Sequence, residues 1–274
     1  MIKYWMAMLF VVFPAINNAF AHDTGAHATY LGNEGVMVAR GDTKILFDAF
    51  YANSYGQYAL VPDNISAAMM SGAEPYDDID AIFVSHVHGD HFTASPAIAY
   101  LRAQSGVSLY GSVQVVEAIS AAGVSEDDPL MDRIHGFDLS PEDKAERFDI
   151  GALSVDVVAI PHAGNRPNIQ NFAWRVTLDG HTTVMHLGDA GTVRADFERH
   201  RDHFSAKKTD AAFPPYWFFG DDAGEAILED IIAADQSIGV HVPARAAGNG
   251  DQWRAQAGSD LFTDPGETRD LSGY

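Results

Sequence analysis

The stretch Ser85-His86-Val87-His88-Gly89-Asp90-His91-Phe92 places three histidines and one aspartate within six consecutive positions. The stretch begins at the last residue of the segment 79–85, whose apolar side chains predict a buried β-strand. His86 and His88 are two positions apart in extended backbone, so their rings point to the same side and are placed to chelate one ion. A turn at Gly89 directs the side chains of Asp90 and His91 toward a second ion. The stretch therefore predicts ligands for metal.

Three later strand ends carry side chains of the same kind. His162 follows the predicted strand 153–160, Asp189 follows the predicted strand 182–187, and His241 lies in the last predicted strand. Because ligand-binding loops gather at the carboxyl ends of strands in α/β sheets, we expect these residues to converge on one cleft. The chain has no cysteine, so His, Asp or Glu must hold any metal, a ligand set that suits zinc, iron or manganese.

The run His86-Val-His88-Gly-Asp90-His91, followed in order by His162, Asp189 and His241, resembles the ligand pattern of the metallo-β-lactamase superfamily. The resemblance covers nearly all of the chain after residue 21. It implies an α/β fold, a four-layer αββα sandwich of two mixed β-sheets flanked by helices, whose halves are related by pseudo-symmetry. Within the family, the pattern is most similar to the lactonase and N-acyl-phosphatidylethanolamine phospholipase branch.

The resemblance also implies a role for each ligand. Two divalent metal ions are expected, zinc first, with iron or manganese as alternatives. The first ion would be held by His86, His88 and His162, the second by Asp90, His91 and His241, and Asp189 would bridge them. A water shared by two such ions loses a proton near neutral pH, and the resulting hydroxide is the expected nucleophile. Asp90 is the expected catalytic residue, which shuttles the proton.

Other polar residues near these strands have less specific interpretations. Asp48, at the end of the predicted strand 43–47, is expected to steady the histidine loop, with a simple turn role as an equal alternative. His186 lies three positions before Asp189 within a strand, so we expect it to face away from the site. The remaining histidines have no matching partners and are interpreted as surface residues, at positions 22, 27, 135, 181, 200 and 203.

Two aromatic segments and one polar pair are candidates for the walls of a substrate pocket. Residues 50–58 include three tyrosines in a polar loop, and residues 213–220 are rich in aromatic side chains. In the second segment, the phenylalanines at positions 218 and 219 are expected to be buried. Asn165 and Arg166 come soon after the third ligand histidine, so they are candidates for binding an anionic substrate group, with loop solvation as the alternative.

Short β-rich runs alternate with helical runs, and the two halves of the chain look alike. Helices are predicted at about residues 95–104, 113–122 and 223–234. Asp179-Gly180 predicts a tight hairpin turn. Residues 125–144 are rich in Asp, Pro and Glu and are interpreted as a surface connection. Residues 22–274 are therefore predicted to form a single domain.

The first part of the chain and its charge bear on location and partners. Residues 1–21 have a lysine, an apolar run and small residues flanking Phe20, which are the features of a cleaved signal peptide. The apolar run is too short to span a bilayer, so a periplasmic or secreted protein without a membrane span is expected. The sequence has 38 acidic and 17 basic residues and a net charge of −21, which disfavours nucleic acid as a partner.

These features favour an exported hydrolase that cleaves an ester, lactone or phosphodiester bond in a small-molecule substrate. A β-lactamase is disfavoured, because the bridging Asp189 and the absence of cysteine differ from the lactamases of the family. The same ligands also suit an iron-loaded oxidoreductase, and a non-catalytic metal-binding protein is a third alternative. Resemblance to a fold does not by itself select the bond that is cleaved.

Overall fold

The computed structural model describes residues 25–271 of the 274-residue chain, so the predicted signal peptide lies outside the described residues. Six strands come from the first half of the chain: β1 (Ala26–Gly32), β2 (Gly35–Arg40), β3 (Thr43–Phe47), β4 (Ala81–Phe83), β5 (Ser108–Ser112) and β6 (Ile134–Phe137). Eight follow in the second half: β7 (Glu146–Ile150), β8 (Leu153–Ala159), β9 (Phe172–Leu178), β10 (Thr182–His186), β11 (Ala211–Phe213), β12 (Gln236–Gly239), β13 (Asp260–Leu261) and β14 (Thr268–Leu271).

Helices cover the outer faces of the two sheets that these strands form. The helices are α1 (Asp63–Ser71), α2 (Ala94–Ala103), α3 (Val113–Ala121), α4 (Arg194–Glu198), α5 (Arg201–Ser205), α6 (Asp222–Ile227) and α7 (Gly250–Ala257). None of the helices described is long and apolar enough to cross a membrane.

The two sheets have the same internal plan. The first has the order β14-β1-β2-β3-β4-β5-β6, and the second has the order β13-β12-β11-β10-β9-β8-β7. In the first sheet β14, β1, β2 and β3 are antiparallel neighbours, and β3, β4, β5 and β6 run parallel. In the second sheet β7 to β10 are antiparallel, and β10 to β13 run parallel. The predicted likeness of the two halves is confirmed.

Apolar side chains fill three interfaces between four layers. Phe47 and Phe83 of the first sheet meet Trp174 of the second in the central core. A second apolar cluster lies between the first sheet and α1 to α3, and a third lies between the second sheet and α4 to α6. Burial of these aromatic and aliphatic side chains is the main favourable term in folding. The predicted αββα sandwich of two mixed sheets is therefore confirmed.

Residues with positive φ values form the turns of the hairpins that the sequence predicts. Asp179 and Gly180 have left-handed φ values of 52° and 69° at the centre of a tight turn, which the His181 amide closes by donating to the Leu178 carbonyl at 2.9 Å, so the predicted turn is confirmed. Gly41 has a φ of 55° in the two-residue loop between β2 and β3.

Three predicted elements differ from the structure. Residues 125–144 contain β6, an edge strand in which only Ile134 is buried, so its hydrophobic pattern is too weak to indicate a strand. The predicted helix 223–234 divides into α6 and a π-helical turn that ends before Ala233, whose φ is 47°. The last predicted strand ends at Gly239, because Val240 pairs with Pro215 instead of continuing β12.

Candidate metal centre

The loop that carries the first histidines begins where β4 ends, and both sheets anchor it. The Ser85 amide leaves the strand ladder and donates to Asp48 Oδ1 at 2.7 Å. From the second sheet, the Phe172 amide donates to the Ser85 carbonyl at 2.9 Å, and the Trp174 indole donates to the Val84 carbonyl at 3.0 Å. These bonds hold the loop at the junction of the two sheets.

A tight turn then separates the ligands into two groups. The amides of His91 and Phe92 both donate to the His88 carbonyl, at 3.0 and 2.8 Å. Gly89 lies within the turn, where a Cβ would approach Asn53 Cβ at 3.2 Å, so a side chain at this position would crowd the neighbouring loop. The turn places His88 on one side of the site and His91 on the other, as predicted.

The first ligand group brings together His86, His88, His162 and Asp189. His88 Nδ1 lies 3.0 Å from His86 Nε2 and 3.1 Å from His162 Nε2. Asp189 Oδ2 lies 3.2 Å from His162 Nε2 and 3.9 Å from His86 Nε2. Tetrahedral zinc with bonds near 2.0–2.1 Å places its ligand atoms about 3.3 Å apart. The four atoms are therefore spaced as zinc requires.

The second ligand group consists of Asp90, His91 and His241. His241 Nε2 lies 3.4 Å from Asp90 Oδ2, and His91 Nε2 lies 3.8 Å from the same oxygen. His241 has a φ of 59°, a left-handed conformation that is rare outside glycine, and its amide donates to the Asn33 carbonyl at 2.8 Å. The strained backbone at this position is held by the hairpin between β1 and β2.

Asp189 faces both groups with different oxygens. Its Oδ2 belongs to the first group, whereas its Oδ1 lies 3.1 Å from His241 Nε2 and 3.4 Å from His91 Nε2. The Asp189 amide donates to Asn171 Oδ1 at 2.9 Å, which fixes the backbone from which the carboxylate projects. One carboxylate thus lies between two ligand sets, the arrangement expected of a bridging ligand.

The electrostatics leave two of these ligands, His86 and Asp189, in the forms that bind dications. Burial lowers the pKa of His86 well below its ordinary value, so its imidazole is neutral. Burial alone would raise the pKa of Asp189, but His241 and His91 outweigh that effect and hold it well below the usual carboxyl range. Neutral imidazole and ionised carboxylate are the forms that ligate zinc.

The orphaned atoms of the site fit metal binding. His91 Nε2, Asp189 Oδ1 and both ring nitrogens of His241 are buried, yet none makes a hydrogen bond with a residue that the structure describes. Burying such atoms without a partner costs about 1–3 kcal/mol each. The donor set of nitrogen and oxygen atoms, with these buried atoms unpaired, fits a pair of divalent ions.

Asp48 and His186 lie where the sequence analysis expected them. Asp48 Oδ2 accepts hydrogen bonds from His91 Nδ1 at 2.9 Å and from Ser85 Oγ at 2.5 Å, so it steadies the histidine loop. His186 belongs to neither ligand group: it is buried, stacks on Phe47, bonds to the Glu34 carbonyl and lies 3.6 Å from a Glu34 carboxyl oxygen. The surface interpretation of His200 is wrong, because its ring is buried and bonds to the Pro141 carbonyl at 3.0 Å.

The sequence analysis missed Asn33 and Glu34, at the tip of the hairpin between β1 and β2. Asn33 Nδ2 donates to the Asp90 carbonyl at 2.9 Å. Glu34 is fully buried, and its carboxyl oxygens make no hydrogen bond with any residue in the described range, although one lies 3.7 Å from His91 Nδ1. Burial raises the pKa of Glu34 well above its ordinary value. The feature that could have indicated a role for these two residues is a polar Asn-Glu pair inside an otherwise buried hairpin.

A cavity of about 370 Å³ opens over the ligands. Its walls are Tyr55, Gln57, Tyr58, His88, Asp90, His162, Arg166, Asp189 and His241. Tyr58 packs edge-on against His241 at 4.2 Å between ring centroids, and burial raises its pKa to about 12. The loop of residues 50–58 therefore contributes two of its tyrosines to the wall, while Tyr51 is buried and donates to the Ala59 carbonyl.

The second aromatic segment does not line this cavity. Phe218 is fully buried, as predicted, and Phe219 is partly buried against the same apolar cluster. Trp217 packs beside His241 at 5.2 Å and donates to the Ala190 carbonyl at 3.1 Å. Trp217 therefore supports the ligand His241 without lining the cavity.

Comparisons with solved structures agree with this architecture. Igni18, a metallo hydrolase from the archaeon Ignicoccus hospitalis, has a TM-score of 0.59 at 15% identity, over 91% of this chain and 99% of that one. An isothiocyanate hydrolase from Delia radicum gut bacteria has a TM-score of 0.56 at 14% identity, over 90% and 100% of the two chains. The diiron β-hydroxylase CmlA from Streptomyces venezuelae has a TM-score of 0.50 at 13% identity, over 90% and 54%. At these identities the likeness shows the fold alone.

Sequence comparisons identify the family. A metal-dependent hydrolase from Carboxydothermus hydrogenoformans is 27% identical over 168 residues, which are 60% of this chain and 62% of that protein. The chain thus matches less than two thirds of that relative's length. A sequence model described as the beta-lactamase superfamily domain matches residues 43–239, well over half of the chain. With the two seven-stranded sheets and the ordered ligands at their edge, this match shows that the chain belongs to the metallo-β-lactamase superfamily.

Proposed function

We propose that this protein is a hydrolase that binds two divalent ions, zinc in the first instance. His86, His88 and His162 would hold one ion, Asp90, His91 and His241 would hold the other, and Asp189 would bridge them. The observation that carries the proposal is the position of Asp189, whose two oxygens each lie within 3.2 Å of a histidine nitrogen from a different ligand group.

The residues around the ligands suit hydrolysis. When bound, two dications supply an acidified water and a Lewis acid at the floor of the cavity. Asp90 contributes a carboxylate to the cavity wall and is the proposed proton acceptor of the reaction. The loop that carries Tyr55 and Tyr58 covers one side, and it is held by the Ala244 amide, which donates to the Gln57 carbonyl at 2.7 Å.

A small molecule with an ester, lactone or phosphodiester bond is the proposed substrate. The cavity volume of about 370 Å³ lies within the range of small-ligand sites. The net charge of −21 disfavours a nucleic-acid substrate. Hydrolysis is also the activity for which the similar proteins from Carboxydothermus hydrogenoformans and Ignicoccus hospitalis are named.

The test combines metal content with activity. The purified protein is expected to hold two zinc equivalents by mass spectrometry and to cleave one class in a panel of lactone, thioester, phosphodiester and β-lactam substrates. Asp189→Ala should lose metal and hydrolysis together, because both ligand groups lose an oxygen. His181→Ala is the control, since this exposed histidine lies in the turn between β9 and β10 and should change neither. Full activity of Asp189→Ala would contradict the bridging role.

An iron-loaded oxidoreductase remains the second candidate, because CmlA shares the fold and is a diiron β-hydroxylase. The same measurement separates the two. Iron in the purified protein, with no hydrolysis of any substrate in the panel, would favour the oxidoreductase and refute the hydrolase.

Export is a further part of the proposal, supported by the signal-peptide features of residues 1–21. The protein recovered from the periplasm or medium of an expressing bacterium should begin at His22, as read by intact mass. A chain that stays in the cytoplasm with its first residues attached would rule out export.

A further inference from the structure

Arg166 differs from every other arginine of the chain because its guanidinium has no partner among the residues that the structure describes. It lies in the exposed loop between β8 and β9, four residues after His162. Each of the other arginines donates to an oxygen or, for Arg245, lies over the ring of Trp253. The Arg166 carbonyl accepts from the Ile169 amide at 3.1 Å, but within residues 25–271 its side chain forms no hydrogen bond or ion pair. Its guanidinium is therefore available to a ligand.

Its position is the boundary between two cavities. Arg166 and His162 line the cavity above the metal ligands, and the same two residues line a second cavity of about 650 Å³. The second cavity extends from His162 along an apolar wall that includes Ile160, Pro167 and Ile169. A molecule with its scissile bond over the ligands and its apolar body in the second cavity would lie beside Arg166, which lines both cavities.

The charges around the two cavities favour one location for an anion. The lining of the second cavity includes Asp138, Glu142 and Asp143, which would repel an anionic group placed beside them. Arg166 is the basic residue that lines both cavities, and no protein carboxylate neutralises it in the described structure. A planar guanidinium binds a carboxylate or phosphate through two parallel hydrogen bonds.

We propose that Arg166 binds a carboxylate or phosphate group that the substrate carries beside its scissile bond. This inference rests on the proposed hydrolase function and narrows its substrate to anionic esters or lactones with an apolar body. Arg166 is then the residue that selects such substrates over neutral ones. It takes no part in the bond cleavage itself.

The test measures binding and does not require turnover. The zinc-loaded protein is titrated calorimetrically with butyrate, with the dicarboxylates succinate, glutarate and adipate, and with 3-phosphonopropionate. One acid group of each probe can reach the metals, and only the doubly acidic probes have a second group for Arg166. Arg166→Gln should weaken binding of the best dicarboxylate or of the phosphonate by roughly tenfold, the effect of losing a charge-assisted hydrogen bond, and should leave butyrate unchanged.

The outcome also identifies the anionic group. A loss confined to the dicarboxylates indicates a carboxylate substrate, and a loss confined to 3-phosphonopropionate indicates a phosphate. Equal binding of all doubly acidic probes to the two proteins, or an equal loss for butyrate, would overturn the role of Arg166.

A matched control separates this role from net charge. Arg199→Gln removes the same charge from an arginine that pairs with Asp196 and lines neither cavity, and it should leave all the affinities unchanged. Zinc stoichiometry is measured first for each protein. Failure of the unchanged protein to bind zinc would refute the proposed function, whereas normal zinc binding without discrimination between the probes would refute only the inference about Arg166.

Discussion

Oxygen acceptors on the chain fix the ring protons of two candidate ligand histidines. His91 Nδ1 donates to Asp48 Oδ2 at 2.9 Å, and His162 Nδ1 donates to the Ala163 carbonyl at 2.6 Å. In each ring the proton on Nδ1 leaves the Nε2 lone pair free, and Nε2 is the atom that faces the other ligands. Such outer acceptors orient a ligating imidazole and increase its basicity. The metal affinity of the site should therefore depend on residues that do not touch the ion.

A substitution of Asp48 tests most directly whether metal affinity depends on a residue that does not touch the ion. Asp48→Asn removes the negative charge that faces His91, while asparagine tolerates the left-handed backbone, where φ is 40°. We expect binding of the second zinc equivalent to weaken by about 10- to 100-fold. Zinc titration of the metal-free protein against a chromophoric chelator measures the change. Exposed Asp127→Asn is the control. Unchanged affinity in Asp48→Asn would mean that Asp48 serves only the backbone turn.

At the scale of secondary-structure elements, several candidate ligands could be brought together from the sequence because they follow buried strands. β4 and β10 are buried throughout and β8 is buried except at Ser154, and His86, His162 and Asp189 come shortly after these strands. Strands of this kind bring their ends together at one edge of the fold. The order of the ligands along the chain could then be read from local patterns alone.

Elements that depend on distant pairing could not be read in that way. β14 is a short strand, exposed at Thr268 and Asp270, that forms only because it pairs with β1 from the other end of the chain. The same limit applies to Asn33, whose side chain reaches the Asp90 carbonyl across 57 positions of sequence. In both cases the determining contact is tertiary, and neither local propensity nor periodicity contains it.

At the scale of the whole molecule, the candidate centre joins the two halves of the chain. His86, His88, Asp90 and His91 come from the first half, and His162, Asp189 and His241 come from the second. Independently of any bound metal, hydrogen bonds from Phe172 and Trp174 connect the loop after β4 to the second sheet. A bound ion would add direct links between the halves, so metal binding and global stability should be coupled.

That coupling can be measured by metal removal. A ligand that binds only the folded state at a free concentration of 100 times its Kd stabilises that state by about 2.7 kcal/mol. For a chain of this size, each kcal/mol raises the Tm by about 2–4 °C, so one bound zinc ion should raise the Tm of the metal-free protein by about 5–10 °C, and two ions by roughly twice as much. Calorimetry with and without zinc measures the shift, and Asp189→Ala should show little of it, because that variant removes an oxygen from both ligand groups. An equal rise in Asp189→Ala would show that zinc stabilises the fold elsewhere, and the two halves would then be held together without the centre.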